Sequence, residues 1–310
     1  MRSSLVSRLY RDESDLLQMQ ALLMEARRQT DDWRYAHVGE LNFNYFMLVC
    51  HLDPRQFIRL WFDGAALVGY ATLGEDPAWD FQVLPDYEWQ GIEAQALAWV
   101  EARLAELRPH HPEAFGGPLV TGARQDNLQR RAFLEAYGFR QGGPFSEVNM
   151  LCRLDEPLPP PTAPAGFQVR ELAAVGETGE RAAANREVWQ PWTVGNVSDD
   201  DYAACMRMPG YDRSLDIVAV APDGTIAAYV NGWLDPRNRI GDFGPVGARP
   251  VYRRQGLTQA VLRECQRRMQ ALGMERIAVS TGVDNIPAIR LYESVGFRIV
   301  NRYLEYGRDR

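Results

Sequence analysis

The sequence predicts an α+β protein in which one fold, built on a mixed α/β sheet, occurs twice. Three observations carry this prediction. A proline-rich segment divides the chain into parts of similar length, each part has an Asp-Gly pair between apolar runs, and two further blocks recur in the same order. The length of 310 residues is typical of two domains of roughly 150 residues each. Such a duplication predicts a monomer that acts as an intramolecular pseudo-dimer.

The proline-rich segment is DEPLPPPTAPAG, at 155–166. Its five prolines remove backbone donors and favour extended geometry, so it predicts a semi-rigid linker. We therefore expect an N-terminal domain at 1–154 and a C-terminal domain at 167–310, each able to bury a core of its own.

The composition is that of an ordinary globular protein, with 46% hydrophobic and 24% charged residues, which excludes disordered and collagen-like classes. No apolar run reaches the ~18 residues of a membrane helix, and the first residues lack the apolar core of a secretion signal. The net charge is −7, whereas nucleic-acid-binding proteins carry a basic face. All the basic residues are arginine, as GC-rich coding favours. We expect a cytoplasmic bacterial protein with no nucleic-acid or membrane partner.

The cysteines and histidines give no metal signature. Cys50, Cys152, Cys205 and Cys265 have neither CxxC nor CxxxH spacing, so we expect no metal site and buried free thiols. The histidines all lie in the first part of the chain. A catalytic imidazole in the second part would therefore have to come from the first.

Each part has an expected hairpin. Asp63-Gly64 lies between apolar runs in the first part, and Asp223-Gly224 does so in the second. Because Asp-Gly favours the positive backbone angles of a tight turn, each pair predicts an antiparallel hairpin.

A loop and an amphipathic helix follow each hairpin, at a constant offset of 165 residues: VLPDYEWQGI starts at Val83 and ARPVYRRQGL at Ala248. The apolar residues of each helix recur every four positions and so share one face against a sheet. These stripes are Ile92, Ala96, Val100 and Leu104 in the first part, and Leu257, Val261, Cys265 and Met269 in the second. Gly273 fits a C-terminal cap, and Ile277–Val279 a buried strand.

A short helix closes each part. NLQRRAFLEAYGF starts at Asn127 and NIPAIRLYESVGF at Asn285. In the second block, Asn285 fits an N-cap, Pro287 the first turn, and Gly296 the C-terminal cap.

The junction at Arg253–Thr258 is the strongest candidate site. A strand that leads into a helix presents unpaired N–H groups and the positive end of the helix dipole, which suits a pyrophosphate. A solvated helix end is the alternative. Together with the elements around it, this pattern resembles the GNAT acetyltransferase superfamily. Both parts have the order of elements found in that family, and the second part also has its sequence motifs. The matching residues are Pro250, Arg253, Gly256, Asn285, Ala288, Leu291, Tyr292, Gly296 and Phe297. Thr258 departs from the Gly or Ala usual in the family.

That resemblance implies a tandem duplication of the GNAT acyl-CoA acyltransferase fold, with acetyl-CoA bound as co-substrate between two splayed parallel strands. It assigns the pantetheine arm to the backbone of Val246, Gly247 and Ala248, with Asn285 beside the arm. It assigns the pyrophosphate to Arg253, Arg254, Gln255, Gly256, Leu257 and Thr258. It also implies that Tyr292 protonates the leaving thiolate, which a neutral phenol can do. Packing on the sheet is the alternative role for Tyr292.

Two interpretations stand for Asp242, which lies where many members of the family have an acidic residue. It is either the general base that takes the amine proton, through water, or a carboxylate at a strand end. Asp199–Asp201 likewise form either a charged first turn of a helix or an acidic rim that attracts a cationic amine. The acceptor is expected near 190–212.

The first copy is expected to be degenerate, because three positions differ: Glu88 for Arg253, Glu93 for Thr258, and Leu134 for Tyr292. Two carboxylates beside a pyrophosphate would cost about 2 kcal/mol for each like-charge pair, and a leucine has no proton to donate. Its retained apolar pattern predicts a structural domain that helps to shape the acceptor site.

The resemblance therefore implies an acetyl-CoA-dependent N-acetyltransferase that acts on a small-molecule amine, with its active site in the second copy. One alternative is an acyltransferase that modifies an antibiotic or a peptide. Another is a non-catalytic acyl-CoA sensor or scaffold.

Overall fold

The structure, a computed structural model, describes residues 5–30, 33–143, 146–173, 176–190 and 196–309. The strands are β1 (Val6–Leu9), β2 (Ile58–Asp63), β3 (Ala66–Leu73), β4 (Trp79–Val83), β5 (Leu119–Arg124), β6 (Arg140–Gln141), β7 (Glu147–Arg153), β8 (Gln168–Glu171), β9 (Asp216–Val220), β10 (Ile226–Asp235), β11 (Ile240–Ala248), β12 (Arg276–Gly282) and β13 (Arg298–Arg308). The helices are α1 (Glu13–Thr30), α2 (Val38–His51), α3 (Pro54–Phe57), α4 (Ile92–Leu107), α5 (Pro112–Phe115), α6 (Leu128–Ala136), α7 (Thr178–Trp189), α8 (Asp199–Cys205), α9 (Leu257–Ala271) and α10 (Ile286–Ser294). Among the described helices, none has the length and apolar character that a membrane span requires.

The chain forms two compact units. Unit 1 comprises Met1–Ala36, His51–Val148 and Asn301–Arg310, and unit 2 comprises His37–Cys50 and Asn149–Val300. These units differ from a simple division at the linker, because each takes segments from both sides of it. The difference has a physical cause in long-range pairing, which the local sequence does not encode.

Unit 1 contains a four-stranded antiparallel sheet in the order β1-β2-β3-β4. The predicted hairpin at Asp63-Gly64 joins β2 to β3, with Gly64 at φ +60°. The predicted α4 stripe is buried, since each of its four residues is at most 2% exposed. The end of β13 also belongs to this unit, where Tyr303–Arg308 pair antiparallel with β5.

Unit 2 is built on strands in the order β7-β12-β11-β10-β9-β8. The predicted hairpin at Asp223-Gly224 joins β9 to β10 as an antiparallel pair, and β11 pairs parallel with β12. The predicted α9 stripe is fully buried, and so is the predicted strand at Ile277–Val279. Both units thus combine a sheet, a buried amphipathic helix and a short capped helix in the same order, which confirms the α+β class and the duplication.

Candidate active site

The centre of the candidate site is the place where β11 and β12 separate. Their parallel pairing covers Ile240–Asp242 on β11 and Arg276–Ala278 on β12. Beyond it, β11 runs on to Ala248 and β12 to Gly282. Two parallel strands that part in this way leave backbone groups on their facing edges available to an extended ligand, as the family resemblance implies.

A β-bulge at Gly244-Pro245 accompanies the separation. Val230 pairs with Val246 and Gly232 with Phe243, so two residues of β11 oppose a single residue of β10. Proline has no backbone N–H to donate to a ladder, and bulges bend the strand that carries them. The Trp233 indole N–H donates to the Gly244 carbonyl at 2.6 Å, which fixes the bulge.

The segment Val246–Ala248 keeps its pairing with β10 on one edge. An ideal Cβ at Gly247 would lie 2.5 Å from Val188 Cγ1 and 3.0 Å from Tyr229 Oη. Only glycine therefore lets α7 and β10 approach this part of β11 so closely. The other edge of the segment faces the opening toward β12.

The loop before α9 has the form that an anion site needs. Arg254 has φ +63° and Gly256 has φ +78°, and a Cβ at Gly256 would meet no atom within 4 Å. The loop from Arg253 to Gly256 is exposed, whereas Leu257 anchors the helix in the core. Arg253 Nε donates to the Ala248 carbonyl at 3.1 Å. The first N–H groups of α9 thus open toward solvent at the positive end of a 15-residue helix.

The short helix α10 begins and ends as predicted. The Asn285 side chain accepts from the Ala288 N–H at 3.3 Å, and Gly296 has φ +98°. The N–H groups of Gly296 and Phe297 donate to the carbonyls of Glu293 and Tyr292, at 3.1 and 3.0 Å, which is a Schellman motif. The rings of Phe297 and Tyr292 lie 5.8 Å apart. The cap therefore fixes Tyr292 by both its carbonyl and its ring.

Tyr292 has a buried ring and an available hydroxyl. The residue is only 6% exposed, and burial raises its pKa, with the Asp242 carboxylate adding to the effect. Among the described residues no side chain or backbone group makes a hydrogen bond to this hydroxyl. The phenol thus keeps its proton throughout the neutral range, and the charge of Asp242 favours the protonated form.

Asp242 lies against a helix from the first half of the sequence. An ideal Cβ at Gly39, in the first turn of α2, would fall 2.6 Å from Asp242 Oδ2 and 2.8 Å from Trp233 Cβ. Glycine at this position therefore makes room for the carboxylate. Gly39 could not be predicted from the sequence, because nothing in the local pattern places α2 beside β11.

His37 is the imidazole that comes from the first half. It is 4% exposed. Its Nδ1 accepts from the Gly39 N–H at 2.9 Å and lies 3.9 Å from Asp242 Oδ2, while Nε2 is 3.3 Å from the Ile240 carbonyl oxygen. This pattern fits a neutral ring with its proton on Nε2. His37 thus joins the start of α2 to β11.

The remaining sequence candidates have structural roles. Asp199–Asp201 form the first turn of α8, where Ser198 and Asp201 make a capping box, which confirms the helix-start interpretation. Cys152, Cys205 and Cys265 are buried, and burial raises the pKa of Cys152 to about 11. No cluster of three potential metal ligands occurs within the described residues. Residues 191–195 of the expected acceptor region lie outside the described part of the chain.

Comparisons with known proteins agree with this geometry. Residues 182–297, all in the second copy, match the Acetyltransferase (GNAT) family. A GCN5-related N-acetyltransferase from Sphaerobacter thermophilus is 20% identical, with a TM-score of 0.65 over 98% of this chain and 95% of that one. A tandem GNAT protein from the clavulanic acid biosynthesis pathway is 14% identical, with a TM-score of 0.61 over 98% of each chain. The second copy thus matches the GNAT acetyltransferase family, and the whole chain shares a duplicated GNAT-like fold with these solved structures.

Within this class the chain resembles one kind of enzyme in particular. It is 25% identical to the mycothiol acetyltransferase of Arthrobacter sp. (strain FB24), over 78% of this chain and 74% of the relative. It is 27% identical to that of Streptomyces coelicolor, over 89% and 86%. These relatives confirm the resemblance to mycothiol synthase that the length and the tandem arrangement of this chain predict.

Proposed function

We propose that the protein is an acetyl-CoA-dependent N-acetyltransferase whose acceptor is a small-molecule amine, and that the second copy holds the active site. The observation that carries the proposal is the separation of β11 from β12 just after Asp242, with Tyr292 electrostatically coupled to that carboxylate. The names of the mycothiol acetyltransferases support an acceptor of small size.

The open loop and the diverging strand suit the two ends of such a co-substrate. The N–H groups of Arg254, Gln255, Gly256, Leu257 and Thr258 hold the pyrophosphate, and Arg253 adds positive charge. The backbone of Val246, Gly247 and Ala248 pairs with the pantetheine arm, and Asn285 stands beside it. The exposed loop and the unobstructed Gly256 fit a group that must approach the backbone closely.

The chemistry then needs one base and one acid. Bound acetyl-CoA supplies a reactive thioester. Asp242 takes a proton from the acceptor nitrogen, through water, as the C–N bond forms and the C–S bond breaks. Tyr292 donates its hydroxyl proton to the sulfur that leaves with the bonding electron pair, and solvent returns a proton from Asp242 to Tyr292. Each positioned proton transfer is worth ~10²–10⁴ in rate.

Kinetics with the full chain test the proposal. Purified protein is incubated with acetyl-CoA and a panel of amines that includes cysteine and cysteinyl amino sugars, and thiol release and product mass are followed. We expect turnover with an amine that is lost in Asp242→Asn, while calorimetry still detects CoA. Tight CoA binding without turnover of any amine would favour the sensor instead.

A further inference from the structure

The first copy retains the backbone of the anion loop. Trp89 and Gly91 have φ +60° and +105°, matching +63° and +78° at Arg254 and Gly256. In each copy a 3-10 turn comes before the loop and a long helix directly after it. The loss of arginine and threonine from this copy has therefore not changed the path of the chain.

The side chain of Glu93 lies inside this retained loop. Its Oε1 accepts from the backbone N–H of Trp89 at 2.6 Å. Glu93 is only 2% exposed, and among the described residues its Oε2 has no hydrogen-bond partner. Burial raises the pKa of Glu93, while the N–H groups of Trp89, Glu93 and Gly91 act in the opposite direction. The carboxylate thus sits among the donors that an outside anion would use.

Glu88, the other acidic replacement, has partners of its own. The Tyr35 hydroxyl donates to Glu88 Oε1 at 2.5 Å, and Arg34 Nη1 lies 3.7 Å from Oε2. The sequence predicts that both carboxylates flank the pyrophosphate position, but in the structure their surroundings differ. Glu88 is held by Tyr35 and Arg34, whereas the carboxylate of Glu93 lies inside the loop.

We infer that the first copy contains a latent diphosphate site that Glu93 holds closed, its carboxylate taking the place of a phosphate. A helix N-terminus attracts any anion, including a side chain of its own first turn. The threonine at the same position of the second copy is too short to fold back in this way, so that loop stays open. The inference rests on the proposed function only for the choice of CoA as the diphosphate probe.

The test opens the first copy in a background where the second is disabled. Arg253→Glu weakens CoA binding by the loop of the second copy. Glu93→Thr is then introduced into this variant. We expect calorimetry to show CoA binding at least about tenfold tighter than in Arg253→Glu alone. Hydrogen exchange should show protection by CoA at residues 84–95. Glu106→Gln, which removes a charge from the exposed end of the same helix, should give no gain.

Glu93→Gln distinguishes two ways in which Glu93 could exclude CoA: by occupying the loop, or by repelling the diphosphate with its charge. The amide fills the same space and its oxygen can accept the same bond from Trp89, but it carries no charge. We expect this variant to remain closed. A gain equal to that of Glu93→Thr would show that repulsion alone excludes the ligand, and would overturn the inference.

No gain in Glu93→Thr, with folding confirmed by circular dichroism, would also overturn it. If Glu93→Thr does not fold, Glu93→Ala makes the same test. Failure of the proposed function would appear separately, as an absence of CoA protection at 249–260 in the protein with Arg253 intact.

Discussion

Tyr292, the proposed acid, is held in place by a local motif. The Schellman cap at Gly296 fixes its carbonyl, Phe297 fixes its ring, and burial leaves its hydroxyl protonated. In the first copy, the N–H of Phe139 donates in the same way to the carbonyl of Leu134 at 3.0 Å. The cap is thus the same in both copies, whereas only the second copy has the hydroxyl that we propose as the acid.

Tyr292→Phe removes only that hydroxyl. We expect kcat to fall by ~10²–10⁴, the usual contribution of a positioned proton donor, with little change in melting temperature or CoA affinity. Because the pKa of Tyr292 is raised, the alkaline limb of the wild-type kcat profile should lie above the ordinary phenol pKa of ~10. Tyr137→Phe, at an exposed tyrosine, is the control. Unchanged turnover would show that Tyr292 only packs on the sheet and does not act as the acid.

Gly39 is the residue that leaves room for the Asp242 carboxylate. In Gly39→Ala the new methyl group would meet Asp242 Oδ2 at 2.6 Å, so either the carboxylate or the start of α2 must move. A displacement of about 1 Å costs roughly 10²-fold in rate, and we expect that loss in kcat/KM with CoA affinity retained. Gly143→Ala is the control, because a Cβ at this position meets nothing within 4 Å, and it should leave kcat/KM unchanged. Full activity in Gly39→Ala would mean that turnover does not depend on the position of the Asp242 carboxylate.

At the scale of elements, a buried ion pair joins α7 to the sheet of unit 2. Arg181 is fully buried, with its Nε 3.3 Å from Asp216 Oδ1 and its Nη2 2.7 Å from Asn231 Oδ1. Asp216 also accepts from the hydroxyls of Tyr202 and Tyr211, at 2.5 and 2.8 Å. The pair therefore orients α7, whose last turn approaches Gly247, with respect to the strands.

Asp216→Asn leaves the Arg181 charge buried without its partner. We expect the free energy of unfolding to fall by about 3–5 kcal/mol, as for other broken buried pairs, measured by urea denaturation. Glu106→Gln breaks the exposed pair with Arg103 and should change stability little. Equal effects of the two substitutions would contradict a structural role for the buried pair.

Local elements were predictable because their signals are local. The hairpins follow from Asp-Gly turns, the helix stripes from a spacing of four, and the caps from Asn285, Gly273 and Gly296. The placement of α2 beside Asp242 depends on contacts between residues some two hundred positions apart, which no periodicity reports. The role of Glu93 was missed for another reason. The repulsion predicted from the sequence assumes that the Glu93 carboxylate only lies near the ligand. In the structure the carboxylate turns back and binds the N–H of Trp89 in its own loop.

At the scale of the whole molecule, the two compact units do not coincide with the two halves of the sequence. Unit 2 includes His37–Cys50 and the end of β7, and unit 1 includes Asn301–Arg310. Each unit therefore buries segments that come from the other side of the linker at 155–166. This exchange ties the integrity of the candidate site to the first half, since α2 lies against Asp242.

Cutting the linker tests this exchange directly. A protease site is inserted after Pro161, in the mostly exposed segment at 155–166, and the folded protein is cleaved. We expect the two pieces to elute together and to retain CoA binding, because unit 1 still needs β13 to pair with β5 and unit 2 still needs α2 and β7. The fragment 167–310 expressed alone lacks α2 and β7, so it should melt at a lower temperature or fail to fold. The uncleaved protein with the same insertion is the control. Separation of the cleaved pieces as folded monomers, or a fragment as stable as the full chain, would show that the exchanged segments contribute nothing to either unit.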